Sequence, residues 1–195
     1  AIGGAAFYGC TALTSIVIPN SVFNISNSAF YGCTKLTSLT LSNKITTFGE
    51  WVFGYCTSLT AVTVPEGVTT LGKNAFRSCY KLETINLPST LTGIGNAAFY
   101  NCRSLKNINI PASITNIGNY LFYNCYSLET ITLPNARRIG SYAFDACSAL
   151  RTISIPKALY TVGENAFRGC NALNRVNYYG TETDVNAISI SSGND

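Results

Sequence analysis

The sequence contains no histidine and no methionine, and only 11% of its 195 residues are charged. Without histidine the chain lacks the most common general base and a frequent zinc ligand. The low charge argues against a disordered or nucleic-acid-binding chain. The net charge of +4 is scattered, with Arg137-Arg138 as the one basic doublet, so we expect no nucleic-acid partner. No apolar run approaches the roughly 18 residues that cross a bilayer, so we predict no direct membrane insertion.

Eight cysteines recur at intervals of 23 residues, with a single interval of 22. A phenylalanine stands three residues before each cysteine. A fixed period of about 20–30 residues indicates a solenoid, in which each coil buries its apolar face against its neighbours. The pairs are Phe7 and Cys10, Phe30 and Cys33, Phe53 and Cys56, Phe76 and Cys79, Phe99 and Cys102, Phe122 and Cys125, Phe144 and Cys147, and Phe167 and Cys170.

The residues between two cysteines divide into three sides of a coil. A leucine follows each cysteine by three residues, and an apolar-x-apolar pair such as Ile85 and Leu87 follows by six and eight. This alternation predicts a short strand that points both side chains inward. Proline ends most of these strands. An Ile-Gly segment forms the next wall, and we predict that Ala-Phe closes the coil as a short helical turn. We expect the phenylalanines to form one continuous internal spine.

This pattern resembles leucine-rich repeats, and the 23-residue A-F-x-x-C version resembles the BspA-like (Treponema-type) subfamily. The resemblance implies an α/β leucine-rich-repeat solenoid: a curved right-handed coil with about eight parallel strands on the concave face and short helical or irregular segments outside. Residues 1–10 read as a truncated repeat, residues 11–170 as seven repeats, and residues 171–195 as the last strand and a C-terminal cap, in a single domain. Because Ile2-Gly3 aligns with Ile94-Gly95, we expect the chain to open inside a repeat.

The cysteines allow two interpretations. Four disulfides would suit an exported chain. However, members of a ladder point in parallel, whereas a disulfide needs side chains that face each other. We therefore favour free, buried thiols. With no C-x-x-C pair and no histidine, the sequence offers no zinc or redox motif, and we expect no metal or cofactor. The serines and threonines have no neighbouring base, so we expect no catalytic residue and no enzyme.

The outward positions of the strands are one candidate binding surface, because a concave sheet is the usual binding face of a solenoid. These side chains are small and uncharged until the last strand, with no aromatic anchor, so we expect only weak or avidity-based contact there. The candidate residues are Thr84, Asn86, Asn107, Asn109, Thr130, Thr132 and Arg175.

A tyrosine-rich edge is the second candidate. Several tyrosines directly follow the spine phenylalanine and others lie close by in the same turn, so they should cluster on one rim. Tyrosine supplies rigid, amphipathic contact area, but the same rings would also shield the spine from water, and both interpretations stay open. The residues are Tyr8, Tyr31, Tyr55, Tyr80, Tyr100, Tyr123 and Tyr126.

The family resemblance implies export to a microbial cell surface, usually as part of a longer protein. The resulting hypothesis is a secreted or cell-surface adhesion module, monomeric, that binds extracellular protein or glycan. The alternative is a structural spacer of a larger surface protein, with no ligand of its own. The Thr-x-Thr pairs also resemble ice-binding solenoids, but the column is mixed and a leucine-rich-repeat sheet curves, which disfavours lattice matching.

Overall fold

The computed structural model describes residues 1–194, and in them the chain winds as a parallel β-solenoid of three-sided coils. The first side of the coils carries β1, β3, β5, β7, β10, β12 and β14, and the second side carries the remaining strands. The elements are β1 (Ser15–Val17), β2 (Asn24–Ile25), β3 (Ser38–Thr40), β4 (Thr47–Phe48), β5 (Ala61–Thr63), β6 (Thr70–Leu71), β7 (Thr84–Asn86), β8 (Gly93–Ile94), β9 (Asn116–Ile117), β10 (Thr130–Thr132), β11 (Arg138–Ile139), β12 (Thr152–Ile155), β13 (Thr161–Val162), β14 (Arg175–Tyr178), α1 (Glu182–Asn186) and β15 (Ser189–Ile190).

Paired strands are parallel and shifted by one repeat. Ile131 is in register with Ile153, and Val62 with Ile85. Along β5 and β7 the outward residues are exposed and the central one is buried, as alternation requires. The parallel-strand solenoid predicted from the sequence is confirmed. Its strand count is close to the expected eight, because residues 107–109 contribute only an isolated bridge between Asn109 and Thr132.

The first side is interrupted at two places. β3 does not pair with β5, and β7 does not pair with residues 107–109, within the part of the chain that the structure describes. The second side is interrupted once, between β8 and β9. The neighbouring coils show the missing contact: Val64 N donates to Asn86 O at 3.0 Å and Leu133 N to Ser154 O at 2.9 Å, but the equivalent amide of Leu87 has no backbone acceptor among residues 1–194.

The third side is a run of β-turns rather than the short helical turn expected from the sequence. Arg77 N and Cys79 N donate within the turn, whereas Phe76 N and Ser78 N donate to the next coil at 2.9 and 2.7 Å. A helix would use all these N–H groups internally. In this chain, every second N–H group of the turn instead donates a hydrogen bond to the next coil. The left-handed φ values of Asn74 (57°) and Ser78 (59°) bend the chain accordingly.

The phenylalanines form the predicted internal spine. Consecutive rings stack with their centroids 5.0 to 5.9 Å apart. The shortest distance is between Phe7 and Phe30 and the longest between Phe76 and Phe99. The six central rings are completely buried. At the corner before most turns, close packing of the coils requires glycine: a Cβ on Gly95 would lie 2.5 Å from Lys73 N. The spine and these close backbone contacts therefore set the stacking of the coils.

The cysteines are free thiols, as favoured from the ladder argument. Each cysteine from Cys33 onward donates its Sγ–H to the carbonyl of the phenylalanine one coil earlier, as Cys79 does to Phe53 O at 3.2 Å. Burial raises the pKa of Cys79 to about 12, so this thiol stays protonated at neutral pH. Cys10 is exposed because residues 1–9 do not form a complete coil that could cover it.

The segment predicted as a C-terminal cap contains α1 and β15, which follow β14. Thr181 is the N-cap of α1: its side chain accepts from Asp184 N, and its own N–H donates to Asp184 Oδ2 at 2.8 Å. This capping box satisfies two otherwise unpaired donors. β15 then pairs with β13 and extends the second side of the solenoid.

Candidate binding surface

The strand-face residues predicted from the sequence are all exposed on the first side of the solenoid. Three of these side chains form hydrogen bonds along the stack: Asn86 Nδ2 donates to Thr63 Oγ1 at 3.3 Å, and Thr130 Oγ1 donates to Asn107 Oδ1 at 3.5 Å. A cleft of about 390 Å³ lies between residues 107–110 and 130–132. The exposed residues are Thr84, Asn86, Asn107, Asn109, Thr130, Thr132 and Arg175. The strand face therefore carries small polar side chains and has only shallow depressions.

The turn side carries a long series of aromatic side chains, which we call the aromatic row. It comprises Tyr8, Tyr31, Trp51, Tyr55, Tyr100, Tyr120, Tyr123 and Tyr142. Tyr8 stacks on Tyr31 at 4.8 Å, and Tyr31 contacts Trp51 and Tyr55 at 5.7 and 5.2 Å. Tyr100 stacks on Tyr123 at 4.6 Å, and Tyr120 on Tyr142 at 4.9 Å. The row therefore runs along most of the solenoid.

Arg77 joins the two halves of the aromatic row. Its guanidinium carbon lies 3.7 Å from the centroid of Tyr100 and 5.5 Å from that of Trp51. Arg168 continues the row, 5.5 Å from the Tyr142 ring. Arginine over an aromatic ring is held by attraction to the ring quadrupole as well as by packing. The row is thus a mixed aromatic and cationic surface.

Tyr80 and Tyr126 do not join this row by ring contacts. They flank Arg103 instead, whose guanidinium carbon is 4.6 Å from the Tyr80 ring and 5.8 Å from the Tyr126 ring. The tyrosines grouped by sequence therefore separate into two sets on the turn side, and the strand-face candidates lie on another side of the coil.

Four residues of the aromatic row have strained backbones. Trp51, Tyr55, Tyr120 and Tyr142 have φ values of 58° or 59°, a region that bulky residues rarely occupy. Glycine, asparagine, serine or alanine stands at the same turn positions in the other coils. A left-handed conformation costs about 1–2 kcal/mol for a residue with a Cβ. Large aromatic residues at these positions therefore carry a conformational cost that glycine would avoid.

Burial of the spine does not require the tyrosines. The residue after the spine phenylalanine is tyrosine in four coils, but it is Gly54 after Phe53 and Asp145 after Phe144. Both phenylalanines are as completely buried as Phe99, which Tyr100 follows. A tyrosine is therefore not required directly after each phenylalanine, because other side chains can pack at that position, as Trp51 and Tyr31 do beside Gly54.

The hydroxyls of Tyr31 and Tyr100 remain protonated at neutral pH, because the pKa of each is raised. Burial raises the pKa of Tyr31, and neighbouring Tyr55 adds to the effect. Burial likewise raises the pKa of Tyr100, with a further contribution from Tyr123. Both hydroxyls can therefore donate hydrogen bonds as well as accept them.

The sequence analysis missed Trp51, Arg77, Arg103, Tyr120, Tyr142 and Arg168. The repeat register contains the signal for all of them. Arg77 and Arg168 occupy the position of Tyr100 in their coils, and Arg103 occupies that of Tyr80. Trp51, Tyr120 and Tyr142 share the first left-handed turn position. Alignment of all coils by position would have found these residues.

Within residues 1–194, no group of three or more histidine, cysteine, aspartate or glutamate side chains is arranged to hold a metal ion. In the same range, no helix has both the length and the apolar character needed to cross a membrane.

A family model for the BspA type leucine rich repeat region matches residues 1–102 and 69–192, with six copies of its repeat. The chain belongs to the BspA-type leucine-rich repeat family. This family assignment agrees with the register of Phe, Cys and Leu on which the fold was predicted. A comparison with curated proteins found no match.

Solved structures of bacterial leucine-rich repeat proteins share the fold of this BspA-type array. A leucine rich cell surface protein from Faecalibacterium prausnitzii is 27% identical over 96% of this chain, with a TM-score of 0.68. The T. pallidum leucine rich repeat protein is 30% identical over 84% of this chain, with a TM-score of 0.65. A leucine-rich repeat protein from Eubacterium ventriosum is 24% identical over 92%, with a TM-score of 0.60. The chain spans 65%, 68% and 57% of these three chains, respectively.

Proposed function

We propose that this BspA-type array is a non-catalytic binding module that recognises an extracellular protein through the aromatic row. The observation that carries the proposal is the placement of Trp51, Tyr55, Tyr120 and Tyr142 in left-handed turn positions. Every coil has a left-handed residue at both turn positions, but only these four residues place a large ring there. Bulky residues rarely adopt this conformation, and such strained residues cluster at functional sites. Tryptophan, tyrosine and arginine are also the residues that dominate binding energy at protein interfaces.

The orientation of the rings favours a protein partner over a neutral glycan. Stacking of a sugar needs a free ring face, but the paired rings cover each other: the planes of Tyr8 and Tyr31 differ by 10°, those of Tyr100 and Tyr123 by 12°, and those of Tyr120 and Tyr142 by 1°. Arg77 covers a further face of Tyr100. The rings present mainly edges and hydroxyls, which suit the peptide groups and side chains of a protein surface.

The proposed location is the cell surface. The F. prausnitzii structure, similar over 96% of this chain, is described as a cell surface protein. The spacer alternative uses the same location but gives the aromatic row no ligand. It therefore predicts that the isolated array binds nothing and that loss of surface tyrosines has no effect beyond stability.

A panel of purified extracellular proteins and neutral glycans, probed with the whole chain, tests the proposal. We expect a protein ligand, and we expect the double variant Tyr100→Ala/Tyr123→Ala to weaken its binding by about tenfold or more, the loss typical of hot-spot tyrosines. The matched control is Thr130→Ala/Thr132→Ala, which removes two exposed side chains from the strand face and should leave affinity unchanged. Both variants are checked for native circular dichroism.

Two results would count against this function. Absence of binding across the panel supports the spacer alternative. Binding that is lost in the Thr130/Thr132 variant and retained in the Tyr100/Tyr123 variant moves the binding surface to the strand face.

A further inference from the structure

We propose that the partner segment is acidic: the centre of the turn side binds an extended acidic polypeptide, and Arg77 holds one of its carboxylates. This inference rests on the proposed function, because it uses the same aromatic row, and it adds the chemistry of the partner.

The first support is an excess of positive charge at the centre of the row. The turn segments 50–58, 73–81 and 96–104 carry Lys73, Arg77, Lys81 and Arg103 but only one acidic residue, Glu50. None of these four cations is in an ion pair within residues 1–194, where the single salt bridge joins Arg168 and Asp145. A surface of unpaired cations attracts a partner of opposite charge and speeds its association.

The second support is an internal example of the proposed contact. Arg168 makes a two-pronged bond to Asp145 of the preceding coil: Nε donates to Oδ1 at 3.1 Å and Nη2 to Oδ2 at 2.5 Å. The Asp145 side chain is 3% exposed, and Tyr142 lies against the same guanidinium. The hydrogen bonds that Arg168 donates to the Asp145 carboxylate raise the pKa of Arg168. At this position in the row, a ring-supported guanidinium therefore takes a carboxylate.

Arg77 occupies the same position but lacks the internal carboxylate. The residue one coil earlier is Gly54, where Arg168 has Asp145. The guanidinium of Arg77 is held by Tyr100 and Trp51. Its Nη1 donates to Asn74 Oδ1 at 3.3 Å, and its Nε has no hydrogen-bond partner in the described residues. The group is oriented in advance. Because its Nε is buried, a carboxylate from a partner would bind the Nη donors rather than reproduce the Nε bond of Arg168.

The covered ring faces decide between classes of anionic polymer. Nucleic acids that bind aromatic surfaces stack their bases on free rings, and the Tyr100 ring beside Arg77 is covered by Tyr123 and by Arg77 itself. An extended acidic peptide needs no stacking. It can bond its carboxylates to the guanidinium groups and its main chain to the tyrosine hydroxyls. We therefore assign the surface to polypeptide.

Fluorescence anisotropy with a labelled poly-L-glutamate of about 20 residues tests the inference on the whole chain. We expect saturable binding at about 50 mM salt that weakens as salt is raised. Arg77→Gln should reduce affinity about tenfold, and Arg77→Lys should give an intermediate loss, because lysine keeps the charge but not the planar fork. Arg175→Gln is the matched control: it removes the same charge from the strand face and should change affinity little. Native circular dichroism is required of each variant.

The inference is overturned if poly-L-glutamate does not bind, or if Arg77→Gln and Arg175→Gln have equal effects. It is also overturned if a sulfated heparin fragment shows the stronger dependence on Arg77, which would assign the surface to an anionic glycan. The proposed function is judged separately: a protein ligand that depends on Tyr100 and Tyr123 but not on Arg77 leaves that function standing and removes only the acidic partner.

Discussion

Substitution of Phe99 by alanine tests whether the stacked spine is the main source of stability. Phe99 is completely buried, with Phe76 on one side at 5.9 Å and Phe122 on the other at 5.5 Å. Removal of a buried phenylalanine costs about 3–5 kcal/mol, and each ring pair contributes about 0.5–1.5 kcal/mol within such losses. We expect Phe99→Ala to lower the free energy of unfolding by about 4 kcal/mol, measured by urea titration.

Two probes make this measurement specific to the spine. Circular dichroism follows the whole solenoid, whereas fluorescence of Trp51, the single tryptophan, follows an early coil. Because each coil contacts only its neighbours, we expect Phe99→Ala to separate the two transitions. The matched control is Phe167→Ala, since Phe167 is only half-buried and stacks on Phe144 at 5.4 Å; we expect a loss of about 1–2 kcal/mol. A loss for Phe99→Ala no larger than that of the control would refute the reasoning.

Three further predictions follow from other parts of the fold. A thiol reagent should label one cysteine per native chain, Cys10, and all eight after denaturation. Rapid labelling of Cys79 in the native chain at about pH 9 would contradict its raised pKa of about 12. In hydrogen exchange, the amide of Leu87 should exchange at least about tenfold faster than that of Leu133, which donates to the next coil at 2.9 Å. Equal protection of the two amides would mean that β7 does pair with residues 107–109 in solution. Hydrogen bonds from Thr181, the N-cap residue, lower the pKa of Asp184 below its usual 3.8. The ionised carboxylate should therefore stabilise α1 above pH 3.8, and α1 should lose this cap as the pH falls through the lowered pKa of the folded state. Amide chemical shifts of α1 that do not change in an acid titration would contradict this prediction.

The sequence was sufficient for the spine because every coil repeats the same environment. A phenylalanine three residues before each cysteine must meet its equivalents once the coils stack, so Phe76, Phe99 and Phe122 were assigned correctly without coordinates. The same argument identified free thiols. It did not identify the conformation of the turn, since helix and β-turn place similar residues inward. The choice depends on whether Phe76 N and Ser78 N bond within the turn or to the next coil.

The segment 107–109 shows a second feature of the fold that the sequence pattern did not predict. Ile108 and Ile110 fit the repeat pattern as well as Ile131 and Leu133 do, yet the structure leaves this segment unpaired with β7. Pairing is a property of two adjacent coils and of the distance between them. A pattern read within one coil carries no information about that distance.

For this chain, the 23-residue period by itself determined the solenoid, its inward columns and the column in which Tyr100, Arg77 and Arg168 stand. Only the tertiary structure decided what those side chains do there. It showed Arg168 bonded to Asp145, and Arg77 held between Trp51 and Tyr100 without a carboxylate. The physical reason is that periodicity specifies which residues become neighbours across coils, whereas ring orientation, burial and hydrogen-bond geometry depend on every side chain that surrounds them.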